Sequence, residues 1–174
     1  MLKKIALTGP ESSGKTRLCL ALASHFKCRF VPEMARVILE KEGSAYDEKK
    51  VEEMARRQIQ EEIRLEKLAR NAEEPFLFCD TNLLVYQVWM EVRFGHCPGW
   101  IKESVENADY DLQLLMHPDL PWESDPLREN PLDRLALFQC YESILKKGNG
   151  KWVVVEGLGH SRFTSSLSFI EQFQ

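Results

Sequence analysis

The chain alternates short segments that are continuously apolar with longer segments whose apolar residues recur every three or four positions. A short apolar run is typical of a strand buried on both faces of a parallel sheet, and the wider spacing is typical of a helix with one buried side. The pattern predicts strands at residues 5–8, 28–31, 76–79, 111–116 and 152–155. Helices are predicted at residues 16–26, 33–42, 83–94, 132–147 and from 161 onward.

Strands that alternate with helices predict an α/β fold, in which helices cover both faces of a mostly parallel five-stranded sheet. Segment 41–74 is rich in acidic and basic residues around an apolar stripe, which predicts one long helix with a solvated face. The stripe consists of Val51, Met54, Ala55, Ile59, Ile63 and Leu68. Because no repeat or linker divides the 174 residues, we predict a single domain spanning residues 1–174.

The composition excludes several classes of protein. With 44% hydrophobic residues and a net charge of −4, the chain is not intrinsically disordered, and no basic run suited to nucleic acid is present. The five cysteines are scattered without a C-x-x-C pair, which argues against a disulfide framework or a thiolate zinc site. Neither a signal peptide nor a membrane-spanning segment is visible. We therefore expect a cytoplasmic protein that binds neither nucleic acid nor membranes.

A phosphate-binding motif separates the first strand from the first helix. Its residues match G-x-x-x-x-G-K-[ST] and are Gly9, Pro10, Glu11, Ser12, Ser13, Gly14, Lys15 and Thr16. Glycines let the backbone wrap around a polyphosphate, so that consecutive N–H groups and the positive end of the helix point at the anion. Lys15 can reach the β- and γ-phosphates, and the Thr16 hydroxyl can bind Mg²⁺. The motif therefore predicts binding of ATP with Mg²⁺.

Two carboxylates follow predicted strands, at the edge of the sheet where ligands of such folds gather. Glu33 is a candidate general base that takes a proton from an acceptor hydroxyl, and Asp80 is the better candidate for positioning Mg²⁺. Each has a structural alternative, because Glu33 can be a first-turn helix carboxylate and Asp80 can cap the next helix. A small chain with these carboxylates and no N-K-x-D segment favours a small-molecule kinase over a GTPase.

A proline- and acid-rich loop follows the fourth predicted strand. Loops of this length in compact domains are often lids, and we place the lid at about residues 117–134. Arg128 and Arg134 can clamp the phosphoryl group during transfer, or can pair with the neighbouring Glu129 and Asp133. Trp122 offers an aromatic face that is suited to stack on a flat, cationic ring.

Several segments, in order along nearly the whole chain, resemble one family of kinases. They are LTGPESSGKT at residues 7–16, VPEMAR at 31–36, FCDTN at 78–82, FGHCPGW at 94–100, YDLQLLMHPDLPWESDPLREN at 110–130, and the terminal Gly157 and Arg162. The chain is similar to the nicotinamide riboside kinase domain of bacterial bifunctional ribosylnicotinamide kinase/NMN adenylyltransferase proteins and their free-standing relatives. The lid sequence is more specific to this family than the phosphate loop is.

The resemblance implies ATP-dependent phosphorylation of nicotinamide riboside to nicotinamide mononucleotide in NAD salvage, on a three-layer P-loop kinase fold. It implies that residues 9–16 hold ATP and that Thr16 and Asp80 hold Mg²⁺. The residues implied in catalysis are Lys15, Glu33, Asp80 and Arg128. The acceptor would contact Glu33, Arg36 and Asp80, and Trp122 would stack on the nicotinamide ring. ATP would also contact Arg128, Arg134, Gly157 and Arg162.

Two alternatives to a nicotinamide riboside kinase remain open from the residues alone. One is a non-catalytic or slowly hydrolysing ATP switch that binds a protein partner through the 41–74 segment. The other is a kinase for a different nucleoside or a sugar. Whether the chain forms a homo-oligomer is likewise open.

Overall fold

The structure is a computed structural model, and it describes residues 1–125 and 133–172. The strands are β1 (Lys3–Thr8), β2 (Phe30–Val31), β3 (Phe76–Asp80), β4 (Leu112–Met116) and β5 (Trp152–Val155). The helices are α1 (Lys15–Phe26), α2 (Met34–Glu42), α3 (Glu48–Asn71), α4 (Leu83–Phe94), α5 (Gly99–Glu106), α6 (Arg134–Lys147) and α7 (His160–Gln172).

The strands form one parallel sheet in the order β2-β3-β1-β4-β5. Strand β1 lies at the centre, where Leu7 is level with Asp80 on one side and with Leu114 on the other. Because all five strands run in the same direction, the loops that follow them lie along one edge of the sheet. The phosphate loop, Glu33, Asp80 and the start of the lid therefore share that edge.

Helices cover both faces of the sheet, which explains why the strands read as continuous apolar runs. Successive side chains of a strand point to opposite faces, so Ile5 and Leu7 pack in the cluster that includes α1, while Ala6 packs in the cluster that includes α3. On this second side, Leu115 of β4 packs with α4 and α6, including Phe138. The predicted three-layer α/β architecture is confirmed.

A further apolar cluster, formed by α2, α3, α4 and α5, lies beside the sheet. Its fully buried members include Val51, Met54, Tyr86, Met90 and Ile101. Complete burial stabilises the folded state by about 1.5–3 kcal/mol for each large apolar side chain. This cluster holds α4 firmly, and one side of α4 forms a wall of the site described below.

The long helix predicted within residues 41–74 is present, but as α3 it covers only Glu48–Asn71. Helix α2 ends at Glu42, Gly43 follows with a φ of 100°, and α3 begins only after Asp47, whose carboxylate accepts a hydrogen bond from the Lys50 N–H at 2.9 Å. The predicted stripe also fails in its second half, where Ile63 is 63% exposed. The buried side is instead formed by Val51, Met54, Ala55, Gln58, Glu62, Leu65 and Ala69.

Helix α5 was not predicted from the sequence, although Ile101 is completely buried within it. Strand β2 begins at Phe30 rather than at residue 28, and β3 extends one residue further than predicted, to Asp80. The helix predicted at residues 132–147 begins at Arg134 in the structure, which describes this part of the chain from residue 133 onward. Within the described residues, no helix is both long and apolar enough to cross a membrane.

Candidate functional site

The phosphate loop lies between β1 and α1, and its glycines occupy positions that no other residue fits well. Gly9 has a φ of 131°, and a Cβ atom there would lie 2.9 Å from the Met116 carbonyl oxygen on the neighbouring strand. Gly14 precedes α1 with a φ of 81°, and its Cβ atom would lie 2.7 Å from Leu120 Cδ1. The motif's glycines are therefore required by positive φ and by close contacts with β4 and the lid segment.

Lys15 folds back over the loop at the start of α1. Its Nζ atom donates hydrogen bonds to the carbonyl oxygens of Gly9 at 2.9 Å and Pro10 at 2.8 Å. The Ser13 hydroxyl donates to the same Pro10 carbonyl at 2.7 Å, which closes the turn from beneath. The ammonium group thus lies directly above the loop and beside the N-terminus of α1, where two positive features reinforce each other.

The segment that leads into the lid lies against the phosphate loop. The Ser12 hydroxyl accepts a hydrogen bond from the Glu123 N–H at 3.0 Å. Arg134, at the start of α6, donates to the carbonyl oxygens of Ser12 at 3.2 Å and Leu120 at 2.9 Å. The Arg134 guanidinium also lies 5.8 Å from the centre of the Trp122 ring, a cation–π contact. Arg128 lies outside the described residues.

Arg162 supports the phosphate loop from its buried side. The residue is 4% exposed and donates to the carbonyl oxygens of Ser13 at 2.7 Å, Gly157 at 2.8 Å and His117 at 3.2 Å. It also forms an ion pair with Asp119, whose other carboxylate oxygen accepts from the Gly157 N–H at 2.6 Å. Burial lowers the pKa of Arg162, opposed by the Asp119 carboxylate. One side chain thus connects the loops after β1, β4 and β5.

Asp80 ends β3 directly beside the phosphate loop. The residue is 2% exposed, and its carboxylate accepts a hydrogen bond from the Thr16 side chain. Burial raises the pKa of Asp80, while the bond from Thr16 and the charge of Lys15 act in the opposite direction. The N-cap of α4 is Asn82, so the alternative in which Asp80 caps this helix is wrong.

The Asp80 and Thr16 pair fits a Mg²⁺ ion. Asp80 Oδ1 is buried and has no hydrogen-bond partner among the described residues, which leaves a charged oxygen with unused capacity. Mg²⁺ prefers oxygen ligands and in phosphate-binding sites is held by one or two carboxylates together with phosphate oxygens. The donor set of one carboxylate and one hydroxyl therefore matches the metal predicted from the motif.

Glu33 lies at the N-cap position of α2, but its side chain makes no capping hydrogen bond. Burial raises its pKa, the carboxylates of Asp80 and Glu11 raise it further, and the charges of Lys15 and Arg36 lower it. Glu33 lines the cavity above the phosphate loop, where its carboxylate is close enough to Lys15 and Asp80 to interact electrostatically. A raised pKa is what a general base needs to be able to hold a transferred proton.

A cavity of about 1070 Å³ opens above the phosphate loop, and we call it the main cavity. On one side it is lined by the phosphate loop with Glu33 and Arg36, and on the other by α4 and by aromatic residues. Arg36 is held there by ion pairs with Asp125 at 3.0 Å and Glu40 at 3.3 Å. The cavity is also lined by Leu39, Tyr46, Val85, Val88, Trp89, Val92, Arg93, Leu137 and Tyr141.

The aromatic wall was missed by the sequence analysis. Trp89 donates a hydrogen bond from Nε1 to the Tyr46 hydroxyl at 3.2 Å, and the two rings meet edge to face with centres 4.9 Å apart. Trp89 lies in an apolar row of α4 with Val85, Val88 and Val92, and such a row predicts a core-facing side. Trp89 packs partly against the cluster that contains Tyr86, and Val88 is buried, yet both also line the cavity.

The predicted site residues in the described part of the chain thus occupy four places. Most of them line the main cavity: Gly9, Pro10, Glu11, Ser12, Ser13, Gly14, Lys15, Thr16, Glu33 and Arg36. Asp80 lies behind this wall in contact with Thr16. Trp122 and Arg134 lie at the rim beside Ser12, and Gly157 and Arg162 lie beneath the loop.

The sequence matches the model of a family described as AAA domain over residues 4–162. No curated protein matches the chain. Among solved structures, NadR protein in complex with NAD and AMP-PNP aligns with a TM-score of 0.76 at 18% identity, covering 98% of this chain and 49% of that one. NadR protein in complex with NR aligns with a TM-score of 0.72 at 17% identity, covering 98% and 51%. This chain spans about half the length of those NadR chains.

Two other solved structures align along their whole length. Thymidylate kinase from Ehrlichia chaffeensis has a TM-score of 0.69 at 12% identity, with 99% of both chains covered. Deoxyadenosine kinase from M. mycoides with bound dATP has a TM-score of 0.61 at 14% identity, covering 97% of this chain and 99% of that one. Similarity at these identities shows a common fold, which confirms the predicted P-loop nucleoside and nucleotide kinase fold.

Proposed function

We propose that this chain, which belongs to the AAA domain family, is a kinase that transfers the γ-phosphate of ATP to nicotinamide riboside. One observation carries the proposal: a phosphate loop, with Lys15 bonded to it and the Thr16–Asp80 pair beside it, lines the same cavity as Tyr46, Trp89 and Tyr141. The loop is suited to the polyphosphate, and the aromatic wall is suited to a flat ring. The similarity to the NadR structures, one of which contains NR, supports this choice of acceptor.

The phosphate side of the cavity stabilises the charge of the group being transferred. Backbone N–H groups of the loop and the N-terminus of α1 receive the phosphates, and Lys15 neutralises charge on the β- and γ-phosphates. Thr16 and Asp80 would hold Mg²⁺, which when bound neutralises further charge on the phosphate oxygens. Because these groups are fixed by the fold, little reorganisation is needed as the reaction proceeds.

Glu33 is the general base in this proposal. Its carboxylate takes the proton of the acceptor hydroxyl while the hydroxyl oxygen forms a bond to the γ-phosphorus and the bond to the ADP oxygen breaks. The raised pKa of Glu33 suits it to hold that proton after transfer. Before transfer, the charges of Lys15 and Arg36 favour the carboxylate form that accepts it. Asp80 is less suited to this role because it already accepts a hydrogen bond from Thr16.

Two aromatic groups are candidates for contacting the nicotinamide ring, which carries a positive charge in the riboside. Tyr46 and Trp89 already form one wall of the main cavity. Trp122 lies at its rim against Arg134, on a segment held to the phosphate loop through Ser12 and Glu123. A cationic ring is attracted to aromatic faces, and this attraction grows when the site excludes water.

Arg93 favours a second candidate, a nucleoside monophosphate as the acceptor. This residue lines the aromatic side of the main cavity, is exposed, and pairs with no acidic residue in the described part of the chain. A guanidinium at that position can bind an acceptor phosphate in a bidentate manner. The similarity to the thymidylate kinase structure is consistent with such an acceptor.

The two candidates are separated by measuring ADP formation with a panel of acceptors. The panel contains nicotinamide riboside, the common nucleosides, the nucleoside monophosphates and a reaction without acceptor. We expect nicotinamide riboside to give the highest kcat/KM, and Arg93→Met to leave that value within a few fold. A preference for a monophosphate that is lost in Arg93→Met would establish the second candidate instead. Equal ADP formation with and without every acceptor would support the ATP switch.

A further inference from the structure

A second cavity, of about 310 Å³, lies between α3, α4, α5 and the start of β4, away from the phosphate loop. Its apolar walls are formed by Ile59, Ile63, Leu83, Leu84 and Val105, and its polar groups by Glu62, Asn82, Ser104, Asn107, Asp109, Tyr110 and Gln113. The volume lies at the lower end of the range found for sites that bind small molecules. Nothing in the proposed kinase reaction uses this cavity.

At the polar end of the second cavity, two buried side-chain amides form a hydrogen bond that leaves one amide oxygen without a partner among the described residues. Asn82 is 2% exposed and Gln113 is 8% exposed, and Asn82 Nδ2 donates to Gln113 Oε1 at 2.9 Å. Asn82 Oδ1 is buried with no hydrogen-bond partner among the described residues. An unsatisfied buried oxygen costs free energy, so its retention at a cavity wall requires a reason. Gln113, which lines the same cavity, carries an amide donor at Nε2.

The charges around the cavity restrict what can enter it. Glu62 accepts hydrogen bonds from Tyr110 at 2.6 Å and pairs with Lys4 at 3.1 Å, so its charge is partly compensated. Asp109 shares the same lysine with Glu62. Lys4 also pairs with Glu66 at 3.2 Å, so three carboxylates share one ammonium group near this end of the cavity, which disfavours an anion.

We propose that the second cavity binds a small, neutral, planar molecule that carries a carboxamide. The N–H of such a group donates to Asn82 Oδ1, its carbonyl oxygen accepts from Gln113 Nε2, and its ring lies against the isoleucine and leucine side chains. Binding at this place does not depend on the proposed kinase activity. A bound molecule would restrain the turn after β3, because Asn82 follows Thr81, whose φ of 86° is unusual, and Asp80 precedes both.

The test uses benzamide as the probe and benzoate as its matched control, with binding to the whole chain followed by NMR. We expect benzamide to bind with a Kd on the order of 1 mM, a typical affinity for a molecule of this size, and benzoate to bind at least about tenfold more weakly. Nuclear Overhauser contacts should join the benzamide ring to methyl groups of Leu84 and Ile59. Benzamide binding without those contacts, or equal binding of benzoate, would overturn the proposal.

Two variants of α5 introduce the same side chain, one inside the cavity as the test and one outside it as the control. Ser104→Leu adds volume inside the cavity and removes only a hydroxyl that bonds within its own helix, to the Trp100 carbonyl. Glu103→Leu places the same side chain at the adjacent, exposed position outside the cavity. We expect the first to weaken benzamide binding at least tenfold and the second to leave it unchanged. If the wild type bound no benzamide at concentrations up to about tenfold above that Kd, water alone would fill the cavity and the proposal would fail.

Discussion

Arg162 makes more hydrogen bonds between separate loops than any other single side chain described above, and its removal should affect both stability and ATP binding. The substitution Arg162→Met keeps a long side chain but removes every donor. It leaves the carbonyl oxygens of Ser13, His117 and Gly157 without their partner, and it leaves Asp119 without its ion pair. The Ser13 carbonyl lies in a buried hydrogen bond, whereas His117, Gly157 and Asp119 are partly accessible to water.

The size of the effect follows from the burial of the two partners. Breaking a buried ion pair by removing one member costs about 3–5 kcal/mol, because the other charge is left uncompensated. The Asp119 side chain is 27% exposed and can recover some hydration, so we expect the lower end, about 3 kcal/mol. At 2–4 °C per kcal/mol for a chain of this length, Tm should fall by about 6–12 °C.

Urea unfolding measures this change directly. With a slope of about 2 kcal/mol/M, a loss of about 3 kcal/mol lowers the midpoint by about 1.5 M. Arg162→Lys keeps a charge beside Asp119 but cannot reach all three carbonyl groups, so its midpoint should be intermediate. The exposed Arg57 on α3 is the matched control, and Arg57→Met should change stability by at most about 0.5 kcal/mol. A loss below about 1 kcal/mol for Arg162→Met would refute the supporting role.

Three further predictions concern the reaction. Glu33→Gln should lower kcat by about 10²–10⁴-fold. Because the base acts as a carboxylate with a raised pKa, wild-type kcat should fall as the pH falls through that pKa. The variant should lose this decrease at acidic pH. Lys15→Ala should lower transfer by at least about 10²–10³-fold in the same assay while unfolding at a similar urea concentration, and unimpaired transfer would remove Lys15 from catalysis. Trp122→Ala should raise the KM for the riboside far more than the KM for ATP; equal increases would indicate a role in lid folding.

The phosphate loop could be predicted from the sequence because its chemistry is local. Eight consecutive residues contain the glycines, the lysine and the hydroxyl, and the strand and helix beside them have clear apolar patterns. The placement of Asp80 beside Thr16 also follows from general rules, since parallel strands end at one edge of a sheet. Local pattern and sheet topology together therefore account for the phosphate-loop side of the main cavity.

The side proposed to take the acceptor depends on contacts between distant residues, which no local pattern contains. Tyr46 meets Trp89 only because a break after α2 places residue 46 outside a helix and opposite α4. On the phosphate-loop side, a contact of the same kind escapes local pattern, because Arg162 reaches the Ser13 carbonyl across 149 residues of sequence. In α3, buried Gln58 bonds to the Met34 N–H at 2.9 Å, so a polar residue occupies a place where an apolar pattern would expect none.

In the proposed function, the main cavity binds ATP and a nucleoside acceptor together and transfers the γ-phosphate between them. The most direct measurement is mass spectrometry of the product formed from ATP, Mg²⁺ and nicotinamide riboside, combined with the amount of ADP released. We expect nicotinamide mononucleotide and ADP in equal amounts, with neither formed by Lys15→Ala above background. ADP released without any phosphorylated riboside, at the rate seen without an acceptor, would contradict it.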